Sequence, residues 1–118
     1  MKLLYSPEAL TDLQMIKAYV TARFGVEKGL EAVRDLKQSI RKLLTYPNMG
    51  HSLDDIIDIS TDYYYFFINP NYVIYSIDSN QIHIVRILNE KQDFLQNLFG
   101  ITSESDEGED YWGDYDGQ

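Results

Sequence analysis

Residues 63–88 read YYYFFINPNYVIYSIDSNQIHIVRIL. Three runs rich in aromatic and β-branched residues, Tyr63–Ile68, Tyr72–Ile77 and Gln81–Leu88, are separated by Asn69-Pro70-Asn71 and by Asp78-Ser79-Asn80-Gln81. Turn formers spaced this closely leave room only for hairpin connections, so the stretch predicts an antiparallel β-meander. Alternation in the third run puts Ile82, Ile84 and Leu88 on one side and His83 and Val85 on the other.

Upstream the apolar period changes from two to about 3.6. Lys2-Leu3-Leu4-Tyr5 is a short extended segment. Ser6-Pro7 then opens a helix, with serine accepting from a first-turn N–H and proline where no N–H is needed. Glu8 and Asp12 place negative charge near the positive end of the helix dipole. Leu10, Leu13, Ile16 and Val20 form its predicted buried stripe, and Gly25 is the expected left-handed stop. A second helix from about Glu27 to Thr45 buries Leu30, Val33, Leu36, Ile40, Leu43 and Leu44. Tyr46-Pro47-Asn48-Met49-Gly50 ends it. Beyond the meander, residues 91–99 predict a short helix presenting Phe94, Leu95, Leu98 and Phe99 to the core, closed by Gly100. The expected fold class is α+β: an N-terminal strand, an antiparallel helical hairpin, an antiparallel meander and a short C-terminal helix.

Charge divides the chain in two. Of the nineteen acidic residues in 118, seven (Glu104, Asp106, Glu107, Glu109, Asp110, Asp114 and Asp116) lie in the last eighteen positions, which hold no Lys or Arg. Residues 1–100 therefore keep twelve acids against ten bases, a net −2 of the total −9. The expectation is a nearly neutral folded body, 1–100, carrying an acidic tail, 101–118, that is disordered when alone and contributes little to folding. Tyr111, Trp112 and Tyr115 within that tail either dock on a surface, as Trp and Tyr anchors do, or are decoration. With no cysteine and two histidines, neither a disulfide framework nor a thiolate metal site is available. No cofactor or metal is expected. No apolar run is long enough to span a membrane, so a cytoplasmic protein is expected.

Three surface features are candidates for binding. Arg34, Lys37 and Arg41 lie at i, i+3 and i+7 on one side of the second helix, within a segment, 28–42, that holds five bases and two acids. This is either a patch for phosphate, an acidic partner or the chain's own tail, or a solvated helix face. Tyr63 and Tyr65 belong to an aromatic strand that must present alternate side chains outward, to a protein interface or to plain solvent. No basic residues interleave with them, and the net charge makes direct nucleic-acid binding unfavourable. Asp54, Asp55, Asp58 and Asp62 form a second acidic cluster, which either keeps a loop soluble or joins the tail in imitating a phosphate backbone.

The order of elements carries specific residues. Tyr5-Ser6-Pro7-Glu8-Ala9 with Asp12-Leu13, Pro47-Asn48-Met49-Gly50, Asn71-Tyr72-Val73-Ile74-Tyr75, and Ile84-Val85-Arg86-Ile87-Leu88-Asn89-Glu90-Lys91-Gln92-Asp93-Phe94-Leu95 together resemble RelE/ParE superfamily toxins, the toxic halves of bacterial type II toxin–antitoxin pairs. The resemblance covers about residues 2–100. It implies a cognate antitoxin whose segments wrap the hairpin or the sheet.

The departures fall on the positions that ribonuclease members use. Tyr64 stands where such members carry a strand arginine, Asn89 where a Tyr or His is common, and Lys91 and Gln92 where arginines stand. Cleavage through a ribose 2′-OH needs proton transfer and a cation for the phosphorane. Asn89 supplies no proton and Gln92 no charge, leaving Tyr64, Arg86 and Lys91 as residual catalytic candidates. The leading reading is a toxin that acts by binding, as ParE-type members inhibit DNA gyrase, rather than an enzyme. Its alternatives are an acidic nucleic-acid-mimicking inhibitor of the phage anti-defence or anti-CRISPR type, and a residual ribosome-dependent mRNA endoribonuclease. Acidic binding candidates under the mimicry reading are Asp54, Asp55, Asp58, Glu107, Glu109, Asp110 and Asp114, with Tyr111 and Trp112 as tail anchors.

Overall fold

The computed structural model describes residues 1–57, 60–92 and 94–99. The chain order is β1 (Lys2–Tyr5), α1 (Pro7–Phe24), α2 (Val26–Arg41), β2 (His51–Ser52), β3 (Tyr64–Ile68), β4 (Asn71–Asp78), β5 (Gln81–Asn89) and α3 (Phe94–Phe99). Single 3-10 turns at Lys42–Leu44 and Leu53–Asp55 follow α2 and β2. All five strands form one sheet in the order β1-β5-β4-β3-β2. The meander pairs antiparallel, while β1 lies parallel to β5, with Leu3 opposite Ile82 and Tyr5 opposite Ile84. The expected α+β architecture is present. The expectations for Asp58, for the Phe94 and Leu95 side chains, for Gly100 and for the tail 101–118 lie outside the described residues.

Ser6 starts α1 as its sequence implies: its Oγ accepts from the Ala9 N–H at 2.9 Å. The same hydroxyl donates to the Val85 carbonyl at 2.7 Å, tying the helix start to β5. Gly25 alone separates the two helices, with φ at +100°, a region that L side chains rarely enter. Its N–H donates to the Thr21 carbonyl, and its own carbonyl accepts from Gly29. At Gly29 the helices come very close. A Cβ there would collide with Thr21 Oγ1 and stand 3.1 Å from the Lys17 carbonyl.

The helical hairpin packs on one face of the sheet. That core joins Ala9, Leu13, Leu36, Ile40 and Leu43 to Phe66, Val73, Tyr75, Ile82, Ile84 and Ile87. On the opposite face Leu53, Ile74 and Leu88 are buried, packed against by Ile57, Tyr63, Tyr65, Val85 and Leu98. Two expectations need correction. Leu10 and Leu30, placed in the core by their spacing, are 47% and 50% exposed. The stripe that does pack inward on α1 runs through Ala9, Leu13 and Ile16, so Leu10 sits about 100° away from it.

Leu88 also lies on the other side from Ile82 and Ile84. Register in the β4–β5 pair slips between Ile74 and Tyr75, which face Arg86 and Ile84, leaving Val85 as an extra residue. A bulge of one residue reverses the facing of everything after it, so Ile87 takes the helical side and Leu88 the other. Helix α3 is shorter than expected, because Asn89–Gln92 forms a turn. The Asn89 N–H donates to Gln92 Oε1 at 2.7 Å, and the Lys91 N–H donates to Asn89 Oδ1 at 2.9 Å.

Candidate functional site

A cleft of about 440 Å³ runs along the outer surface of the hairpin. Its apolar lining is Leu10 and Leu13 from α1 with Leu30 and Val33 from α2. Around these stand Lys17 on α1 and Arg34, Lys37 and Arg41 on α2, with Gln14 and Gln38 as neutral polar groups. The cleft lining thus carries four cations and no acid. The lining follows from helical spacing: Leu10, Gln14 and Lys17 share one side of α1, and Leu30, Arg34, Lys37 and Arg41 share one side of α2.

Arg34, Lys37 and Arg41, candidates from their spacing in the sequence, come together in the cleft. Lys17, Leu10 and Leu30 join them without being evident in the sequence, because apolar periodicity alone assigns both leucines to the core. The Leu10–Gln14–Lys17 spacing was the available signal. Arg34 approaches Glu31 and Asp35 at 3.9 Å, but all three side chains are well exposed, so these pairs hold it weakly. Arg41 also faces Tyr5, whose phenol is pushed up by burial while the arginine charge pulls it down.

The residual catalytic candidates are differently placed. Arg86 is clasped: Nε and Nη2 donate to the two Asp12 carboxylate oxygens at 2.8 and 2.9 Å, and Nη1 donates to the Asn97 carbonyl at 3.2 Å. The Asp12 hydrogen bond is the largest influence holding the guanidinium pKa above its ordinary value. Asp12 also accepts from the Ile87 N–H at 2.9 Å, satisfying the edge of β5 beyond the end of β1. This aspartate, expected only to suit the helix dipole, links α1, β5 and, through Arg86, α3. Tyr64 leans on the Tyr75 ring at 5.7 Å. It lies on β3, with β4 between it and Arg86 on β5. Lys91 is exposed in the Asn89–Gln92 turn. Asn89 and Gln92, at positions where ribonuclease members use catalytic groups, are occupied in closing that turn.

The outward aromatic set is partly covered. Tyr63 stacks on Phe99 at 6.1 Å, and Tyr65 lies between His51 and Tyr72, at 5.8 and 5.5 Å. Phe67 contacts Tyr72 at 4.8 Å and remains exposed. Of the acidic cluster, Asp54 is engaged in closing a loop, accepting from the Thr61 N–H and hydroxyl at 2.8 and 2.9 Å. Asp55 is exposed. Asp58, Glu107, Glu109, Asp110, Tyr111, Trp112 and Asp114 lie outside the described residues.

A helical hairpin on a single mixed sheet, displaying a cationic cleft on its surface, defines a small α+β domain of one sheet and one helical layer. The chain belongs to the ParE toxin family: residues 3–94 match the family described as ParE toxin of type II toxin–antitoxin system, parDE. Among solved structures it is similar to one described as the chromosomal ParDE TA system from P. aeruginosa, at 23% sequence identity and a TM-score of 0.66. That alignment covers 75% of this chain and 95% of the other, a likeness in fold. No curated protein matches the chain.

Proposed function

We propose that this toxin works by binding rather than by cutting RNA. It holds a nucleic-acid-processing enzyme such as DNA gyrase inactive in the cytoplasm, and a cognate antitoxin neutralises it through the α1–α2 cleft. The observation that carries this reading is the cleft itself, four cations around exposed leucines, a surface suited to an amphipathic acidic segment. Family membership supports the toxin role. The ribonuclease alternative loses support from Arg86, whose donors are directed at Asp12 and Asn97, and from Asn89 and Gln92, which build a turn.

Purified chain added to gyrase should inhibit DNA supercoiling, and added to programmed ribosomes should leave messenger RNA intact. Gyrase activity unchanged, together with specific mRNA cleavage that Tyr64→Phe abolishes, would reverse the assignment.

A further inference from the structure

We propose that the acidic segment 104–116 of this same chain lies in the α1–α2 cleft of the free protein, with Trp112 on its leucine floor and its carboxylates against Lys17, Arg34, Lys37 and Arg41. Three observations carry it. The first is charge: a cleft lining of four cations and no acid belongs to a chain whose last eighteen residues hold seven acids and no base. Opposite charges at close range on a partly apolar surface attract more strongly than the same charges in open water.

The second is the apolar component. Leu10 and Leu30 are half-exposed beside the cations, which is costly to leave in water. The segment that matches in charge also contains Tyr111, Trp112 and Tyr115, side chains that bury large areas while keeping a polar tip. An acidic stretch without aromatics would match the rim and leave the floor uncovered.

The third is the point of departure. The Asn97 carbonyl accepts from Arg86, whose other donors grip Asp12 on α1. The end of α3 is therefore one guanidinium away from the helix that forms a wall of the cleft, and Asp12 directly precedes the cleft residue Leu13. Fourteen residues lie between Asn97 and Trp112, a reach of about 50 Å when extended. That exceeds the 43 Å long axis of the molecule. A tether this short also supplies an effective concentration on the order of millimolar, enough for a weak site to be filled in cis.

The occupancy rests on these three observations and not on the antitoxin reading. Its consequence, that an antitoxin must displace the segment, rests on the antitoxin reading above.

Trp112 is the sole tryptophan of the chain, so its emission reads the position of the segment directly. In the full-length protein at low salt, emission should be blue-shifted relative to a peptide of residues 101–118, and independent of protein concentration. Most of that shift should be lost at 1 M salt, where the Debye length falls to about 3 Å. It should also be lost in the triple variant Arg34→Glu, Lys37→Glu, Arg41→Glu, whose far-ultraviolet circular dichroism reports an intact fold. Adding Glu107→Lys, Glu109→Lys, Asp110→Lys and Asp114→Lys to that variant should restore it.

Emission equal to that of the free peptide would overturn the proposal. A blue shift that survives the triple variant would also overturn it, placing Trp112 elsewhere on the molecule. A shift that grows with protein concentration would assign the cleft to the tail of a second copy, which equally defeats occupancy in cis. None of these readings involves gyrase or an antitoxin, so failure of the proposed function leaves them unchanged.

Discussion

At the scale of single residues, Asp12 and Arg86 show why a charged residue inside an apolar pattern is ambiguous in sequence. Arg86 between Val85 and Ile87 fits both a catalytic cation and a structural one, and only geometry separates them. Three donors find two carboxylate oxygens and one carbonyl, in a largely buried pair. Removing one member leaves the other charge poorly solvated, so Asp12→Ala should cost about 3–5 kcal/mol in urea unfolding. A change within a few tenths of a kcal/mol would mean that the clasp is solvated in solution. Tyr75 is the corresponding polar group of the helical core. Its hydroxyl accepts from the Gly50 N–H at 3.1 Å and donates to the Pro47 carbonyl at 3.2 Å. Position 50 is glycine because a Cβ would strike that hydroxyl and stand 2.7 Å from the Tyr65 carbonyl. Burial raises the Tyr75 pKa, as it does that of Tyr5. The folded state therefore resists ionisation that the unfolded chain undergoes near pH 10. Stability that is fully present below that pH should fall as pH rises towards the folded-state values. Tyr75→Phe should cost about 1 kcal/mol at neutral pH through lost hydrogen bonds, and should flatten this alkaline decline. An unaltered alkaline limb would assign it elsewhere.

At the scale of elements, the helical hairpin and the three long strands were legible because each is a run of helix- or strand-forming residues bounded by a chemically specific stop. Ser6-Pro7, Gly25 and the residues around Pro47 and Pro70 are positions where few other residues would serve. Less was legible where one element depends on another. Strand β2 is two residues long, too short for a period, and exists because His51 and Ser52 meet Tyr65 and Tyr64 across the sheet. The bulge at Val85 has no signature of its own, and it moved Leu88 to the opposite face. The cleft was half legible: the cations of α2 announced themselves, while Leu10 and Leu30 were indistinguishable from core residues until the rotation of each helix was known. That rotation depends on the close contact at Gly29. Alanine there would gain helix propensity, about 1 kcal/mol, yet its Cβ would meet Thr21 Oγ1 and the Lys17 carbonyl. Overpacking of this kind costs about 1–3 kcal/mol, so Gly29→Ala should destabilise on balance. Thr21→Ala in the same chain should recover part of the loss, since it removes the side-chain half of the collision. Thermal melts of the single and double variants check this. A more stable Gly29→Ala would show that the helices separate easily.

At the scale of the whole molecule, the division of charge becomes a statement about access. The folded body is nearly neutral, yet its cleft is cationic and its terminus strongly acidic. If the terminus covers the cleft, an acidic partner finds only the uncovered fraction of molecules competent, and its apparent affinity falls by that fraction. A chain ending at Gly100 should accordingly bind its antitoxin more tightly than the full-length protein at low salt. The difference should be mainly in association rate, because the cleft is open from the start and steers an acidic partner without competition. At 1 M salt both chains should weaken and their affinities converge, since the contacts that close the cleft and those that attract the partner are screened together. Their melting temperatures should differ by only a few degrees, because the tail holds too few aliphatic residues to offset the entropy of ordering it, about 1–2 kcal/mol per residue. Stopped-flow association at low and high salt measures the comparison. Equal association rates at low salt would leave the cleft without its internal occupant, and tighter binding by the full-length chain would make the terminus part of the antitoxin interface.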